Sequence, residues 1–109
     1  MRRVTLHELA EERSIAMHAA VTKRLRAEPS LLDAVRERVA GWLRDGSVHP
    51  EYARAWADIL ARPLPEILEA LTDRGERLRS LRQVTPFTGI LDPRERLRIR
   101  AEVRERLGV

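Results

Sequence analysis

The chain has 109 residues, with 21 Lys and Arg against 17 Asp and Glu, a formal net charge of +4, 43% apolar residues and no Cys. This length makes one domain, residues 1–109, with a real core, and the apolar content excludes a disordered chain. The absence of Cys excludes disulfides, thiolate catalysis and Cys-based zinc sites; no apolar run approaches the roughly 18 to 20 residues of a membrane helix, and the acidic stretch after Met1-Arg2-Arg3 is no signal core, so a cytoplasmic location is expected.

Helix punctuation is dense and strand signals are nearly absent, which predicts an all-α, compact single-domain bundle of about six helices. Thr5-Leu6-His7-Glu8 is a capping box. It opens a first helix to Ala27 with Leu6, Leu9, Met17, Ala20, Val21 and Leu25 in the apolar stripe. Arg13-Ser14 interrupts that stripe, so Ser14 is a candidate second N-cap dividing a short helix from a longer one. Pro29 breaks the chain, and Ser30-Leu31-Leu32-Asp33 restarts it as a box-like cap. Leu31, Leu32, Val35, Val39, Trp42 and Leu43 then recur at spacings of three and four up to Asp45-Gly46, a Gly at the expected C′ position.

His49-Pro50-Glu51 opens the third helix with Pro at N1, and Tyr52, Trp56, Ile59 and Leu60 form its apolar stripe. Arg62-Pro63-Leu64-Pro65 ends it. A short helix from Pro65 to Leu71 follows. Asp73-Arg74-Gly75-Glu76 then caps another helix running to about Gln83, with Leu78 and Leu81 inward. The last begins at Asp92-Pro93-Arg94-Glu95, with Asp as N-cap and Glu three residues on. Pairs at i,i+4, Asp58 to Arg62, Asp73 to Arg77 and Glu102 to Arg106, mark solvated helix faces.

The loop between the last two helices carries Phe87, Ile90 and Leu91. Loops are normally polar, so this one either plugs the protein's own core or presents a docking surface. As a docking surface it would offer Phe87, Ile90 and Leu91 as desolvated anchors. Arg82, Gln83, Arg94 and Arg98 would lie around them as polar contacts.

Catalytic patterns are missing. His7 and His18 lie 11 residues apart, roughly 16 Å on one helix, too far for a shared metal. His49 caps or packs at a helix start. Glu11-Glu12 and Glu66/Glu69 read as surface charge, and the five Gly form no phosphate-binding loop. No metal, no cofactor and no enzymatic activity are therefore expected. Trp42, Tyr52 and Trp56 flank the Gly46 turn, as core or as a stacking platform. A helix-turn-helix reading of residues 30–61 is weakened by Glu51 and Asp58 on the exposed face of the second helix.

Of the 21 basic residues only Lys23 is Lys. Such Arg usage reads as coding bias in a GC-rich bacterial genome. The C-terminal third, Arg74 to Arg106, is the basic part of the chain. It supports a second reading, a nucleic-acid-binding transcriptional regulator, although scattered Arg predicts only weak, sequence-independent and salt-dependent affinity for DNA or RNA.

Three segments carry a resemblance covering most of the chain. They are Leu9-Ala10-Glu11-Glu12-Arg13-Ser14-Ile15-Ala16-Met17-His18; Trp42-Leu43 with His49-Pro50 and Tyr52-Ala53-Arg54-Ala55-Trp56; and Leu81-Arg82-Gln83, Pro86-Phe87, Gly89-Ile90-Leu91 and Pro93-Arg94-Glu95-Arg96. Together they resemble a family of small helical bacterial proteins associated with the antitoxin side of toxin–antitoxin pairs. Members often carry an aromatic residue where this chain has Leu97. The resemblance implies a non-catalytic protein-binding module that binds and neutralises a cognate toxin-like protein encoded nearby.

With no ligand set at workable spacing, a chelator is expected to leave the melting temperature unchanged. A drop that added zinc restores would overturn that expectation.

Overall fold

The long first helix is the axis along which the last helix and one of the short ones are laid. In the computed structural model, which describes residues 3–109, α1 runs Leu6–Ala27, α2 Leu32–Asp45, α3 Pro50–Leu60, α4 Leu64–Leu71, α5 Glu76–Arg82 and α6 Pro93–Leu107, with a 3-10 turn at Pro29–Leu31 before α2. The fold is all-α, a single-domain bundle. α6 packs along α1, α2 and α3 form a hairpin, and α4 and α5 close the space between hairpin and axis. The molecule measures 47 × 29 × 24 Å. No helix of the described residues is long and apolar enough to cross a membrane.

Local capping chemistry sets three of the six helix starts among the described residues. Thr5 Oγ1 accepts from the Glu8 amide at 3.0 Å, His49 Nδ1 from the Glu51 amide at 3.1 Å and Asp92 Oδ1 from the Glu95 amide at 2.8 Å. Each side chain satisfies one of the amides that a helix start leaves without a partner. α2 ends at Gly46 with φ 69°, a left-handed conformation open to Gly without strain.

Two expected boundaries do not form. α1 passes unbroken through Ser14, because a mid-helix Ser costs only about 0.5 kcal/mol whereas a stop and restart would strand several backbone groups. Ser30 is not an N-cap either. Pro29–Leu31 winds as a 3-10 turn directly into α2, whose N-cap Leu31 makes no side-chain bond. The continuous turn leaves no extended residue from which a hydroxyl could cap.

The core joins Leu9, Val21 and Leu25 of α1, Leu32, Val35 and Val39 of α2, Trp56, Ile59 and Leu60 of α3, Ile67 and Leu71 of α4, Leu81 of α5, and Ile99 and Val103 of α6. Three residues assigned to apolar stripes lie further out. Leu6 is 86% exposed at the first turn of α1, and Leu43 is 47% exposed opposite Ala57 and Ala61, which are too short to cover it. Trp42 is half-buried. Trp56 and not Trp42 is therefore the aromatic centre of the core.

Ion pairs tie α1 to the C-terminal helices. Glu12 accepts both Arg74 nitrogens, at 2.7 and 3.3 Å, and lies 3.6 Å from Arg106; Glu11 faces Arg79 at 2.9 Å, and Arg24 pairs with Glu95. The Arg74 hydrogen bond holds the Glu12 carboxyl below its ordinary pKa. These carboxylates are inter-helix tethers, where the sequence suggested surface charge. Asp58 meets Arg62 at 2.8 Å as expected. The other two i,i+4 pairs are absent among the described residues: Asp73 instead accepts from the Gly75 amide, and Glu102 faces Arg98 at 3.7 Å.

Trp56→Ala is expected to cost about 3–5 kcal/mol, as a large-to-small change at a fully buried site, and the half-buried Trp42→Ala clearly less. Urea denaturation of both variants checks the order; equal losses would contradict this placement of the core.

Candidate functional site

Residues 83–92 connect α5 to α6 without a helix, and the chain drops Phe87 inside as it crosses. Phe87 is 4% exposed and Leu91 5%, with Ile90 partly buried against the same core. The left-handed Gly89, φ 96°, makes the reversal: the Ile90 amide donates to the Phe87 carbonyl at 3.2 Å, and the two apolar ends of the turn face inward. Of the two readings of this loop, the structure takes the plug.

Four backbone carbonyls in and just before the loop have donors from elsewhere in the fold. Trp56 Nε1–H donates to Val84 O at 2.8 Å and Leu81 O at 3.2 Å. Arg38 Nη1 donates to Pro86 O at 2.8 Å and Thr88 O at 2.7 Å. The rings of Trp56 and His18 each meet the Phe87 ring edge-to-face, at centroid distances of 5.6 and 6.1 Å.

His18 is 4% exposed and bridges α1 to the loop. Its Nδ1 lies 2.7 Å from Ser14 O, which can only accept, so Nδ1 carries the proton. The bare Nε2 then accepts from Thr85 Oγ1 at 2.9 Å, and Thr85 Oγ1 accepts in turn from the Phe87 amide at 3.2 Å. Burial, with Arg82 adding repulsion, pushes the imidazole below its ordinary pKa. The network needs the neutral ring.

The residues proposed for partner contact divide accordingly. Phe87 and Leu91 are core, a correction to their assignment as docking anchors, because hiding them removes more apolar surface from water than exposure would allow. Arg82 is also buried, 3% exposed, with Nη1 donating to Leu71 O at 3.3 Å and Asp73 O at 2.6 Å beyond the end of α4. That guanidinium serves the negative end of a helix, and burial draws its pKa below the usual value. Ile90 is partly covered. Gln83, Arg94 and Arg98 remain on the surface.

Two surface features adjoin the plug. On α6, opposite the buried Ile99 and Val103, the exposed residues Arg94, Leu97, Ala101 and Arg104 follow one another at helical spacing, with Leu97 65% exposed. Between α1, the loop and the near flank of α6 lies a cleft of about 240 Å³. Met17, Val21, Phe87 and Leu91 form its apolar walls, and Arg82, Arg96 and Arg100 bring positive charge. Among the described residues no group of three or more His, Asp or Glu is placed to hold a metal.

Sequence reasoning missed His18, Thr85 and Arg38 as organisers of the loop. His18 had a readable signal, a polar residue three before Val21 and seven before Leu25 on the apolar stripe. Arg38 had none, since its carbonyl partners lie 48 and 50 residues away. No known protein family matches the chain, and no curated protein or solved structure is detectably similar to it.

The depressed His18 pKa sets a direction for stability. Unfolded His takes up a proton near 6.5 and folded His18 does so only at lower pH, so stability is complete above about 6.5 and falls as the solution is acidified. Between about pH 7.5 and about pH 5.5 the parent should lose stability, in a range above that of ordinary carboxylates. His18→Gln should be less stable at the upper pH and show a flatter dependence. Unchanged slopes in denaturant titrations would exclude His18 as the titrating group.

Proposed function

We propose that this chain is a cytoplasmic, non-catalytic protein-binding module of the antitoxin type, which binds and neutralises a toxin-like protein encoded nearby. The observation that carries the reading is the outer face of α6. Arg94, Leu97, Ala101 and Arg104 are exposed together, and neither Arg94 nor Arg104 forms an ion pair with another described residue, although carboxylates are plentiful. An apolar side chain set among free guanidinium groups suits a partner with a small apolar recess rimmed by carboxylates. The resemblance in the three sequence segments supports the same reading. Contacts through Arg94 and Arg98 stay in the proposal, and Leu97 takes the anchor role that Phe87 cannot fill.

The alternative, a nucleic-acid-binding regulator, draws on the same Arg. Phosphate contacts through α6 would be opposed by Glu95, Glu102 and Glu105 on that helix, so affinity should be weak and steeply salt-dependent. Specific, tight binding to one duplex at physiological salt would favour the regulator instead.

Co-expression with each protein encoded next to this one, followed by pull-down and a growth test, examines the proposal. A stoichiometric complex and relief of toxicity are expected. Leu97→Glu combined with Arg98→Glu should keep the parent's melting temperature and lose the complex, whereas Phe87→Ala should lower the melting temperature. If neither neighbour co-purifies or is neutralised, the reading fails.

A further inference from the structure

The cleft between α1, the 85–91 segment and α6 carries three basic side chains. Arg82, Arg96 and Arg100 line it together with neutral His18, and no Asp or Glu does, in a chain with 17 acidic residues against 21 basic ones. The guanidinium groups of Arg96 and Arg100, one helical turn apart on α6, make no ion pair or hydrogen bond with another described residue. Behind them, Arg82 Nε and Nη2 are buried without a hydrogen-bond partner. A guanidinium does not shed its proton to relieve burial, and although Glu11 and Asp73 offset part of the Arg82 charge, its Nε and Nη2 stay desolvated donors without an acceptor.

The walls restrict what could answer that charge. Met17, Val21, Phe87 and Leu91 line it with apolar atoms, which offer a bare inorganic anion no hydrogen-bond donor. The volume of about 240 Å³ exceeds the roughly 150 Å³ that accommodates benzene and falls short of the roughly 300 Å³ at which drug-sized pockets begin. One ring or short branched chain fits, with one anionic group. We propose that this cleft is a binding site for a small apolar carboxylate, its carboxylate held by Arg96 and Arg100 in the field of Arg82 and its apolar body against Phe87 and Leu91. A free aromatic or branched-chain acid supplies that chemistry, and so does the C-terminal Phe or Leu of another chain. The site lies on a different flank of α6 from the face assigned to the protein partner and does not depend on that assignment.

Calorimetry and the His18 ring resonances of the intact protein test the proposal, with phenylacetate, its neutral counterpart phenylethanol, inorganic phosphate, and a short peptide ending in Phe as free acid or amide. Saturable binding of phenylacetate or the free-acid peptide is expected, with a dissociation constant on the order of 1 mM or tighter. Phenylethanol, phosphate and the amide should bind at least about tenfold more weakly, the size of one lost charge-assisted hydrogen bond. The tighter of phenylacetate and the free-acid peptide identifies the source. Arg96→Ala with Arg100→Ala changes only exposed, unpaired side chains, so it should keep the parent's melting temperature and weaken binding by about tenfold or more. The proposal is overturned if neither acid saturates the protein, if phenylethanol or phosphate binds as well as they do, or if the double variant binds unchanged.

Discussion

Phe87 inserted between Trp56 and His18 is the contact on which the rest of the molecule depends. It draws a ten-residue connection with no helix of its own into the centre of a helical bundle. A buried loop normally costs unpaired backbone groups, each worth about 1–3 kcal/mol if left without a partner. Here Trp56 and Arg38 supply donors to four carbonyls, and Thr85 accepts the Phe87 amide. α1, α2 and α3 are thus each joined to the loop by a polar side chain, and the loop sets how α5 and α6 approach them.

Arginine plays a structural part that bulk charge conceals. Arg38 holds two loop carbonyls, Arg82 serves the end of α4, and Arg36 Nε donates to Leu60 O at the end of α3, at 3.2 Å. Each places positive charge where backbone dipoles converge with negative sign. A count of basic residues would take all three as potential phosphate contacts, whereas each has a nitrogen bonded to backbone carbonyls of its own fold. On α6, by contrast, Arg94 and Arg104 of the outer face and Arg96 and Arg100 along the cleft are exposed without an ion pair to another described residue.

What could be read from the sequence followed from range. Thr5, His49-Pro50, Asp92-Pro93 and Gly46 act within four residues of themselves, and each marks the helix end where it was expected. Ser14 and Ser30 carry the same local chemistry but lose to context, one inside a helix cheaper to continue than to break, the other wound into a turn after Pro29. The apolar loop was recognisable as something that must be covered; whether by this chain or another depended on Trp56 and His18 lying beneath it, which no spacing reveals. Arg82 illustrates the limit. Its neighbours suggested an interface charge, and its partners 9 and 11 residues upstream made it part of the interior.

The Thr85 bridge has a consequence for the order in which the molecule opens. Its contact to His18 spans 67 residues, and those of Trp56 and Arg38 to the same loop span 28 to 50, so the loop seats only after distant parts of the chain have come together. Helix ends can fray with these contacts intact, whereas unseating the loop breaks its bonds to α1, α2 and α3. The least regular stretch of backbone is thereby tied to the contacts that span the chain most widely.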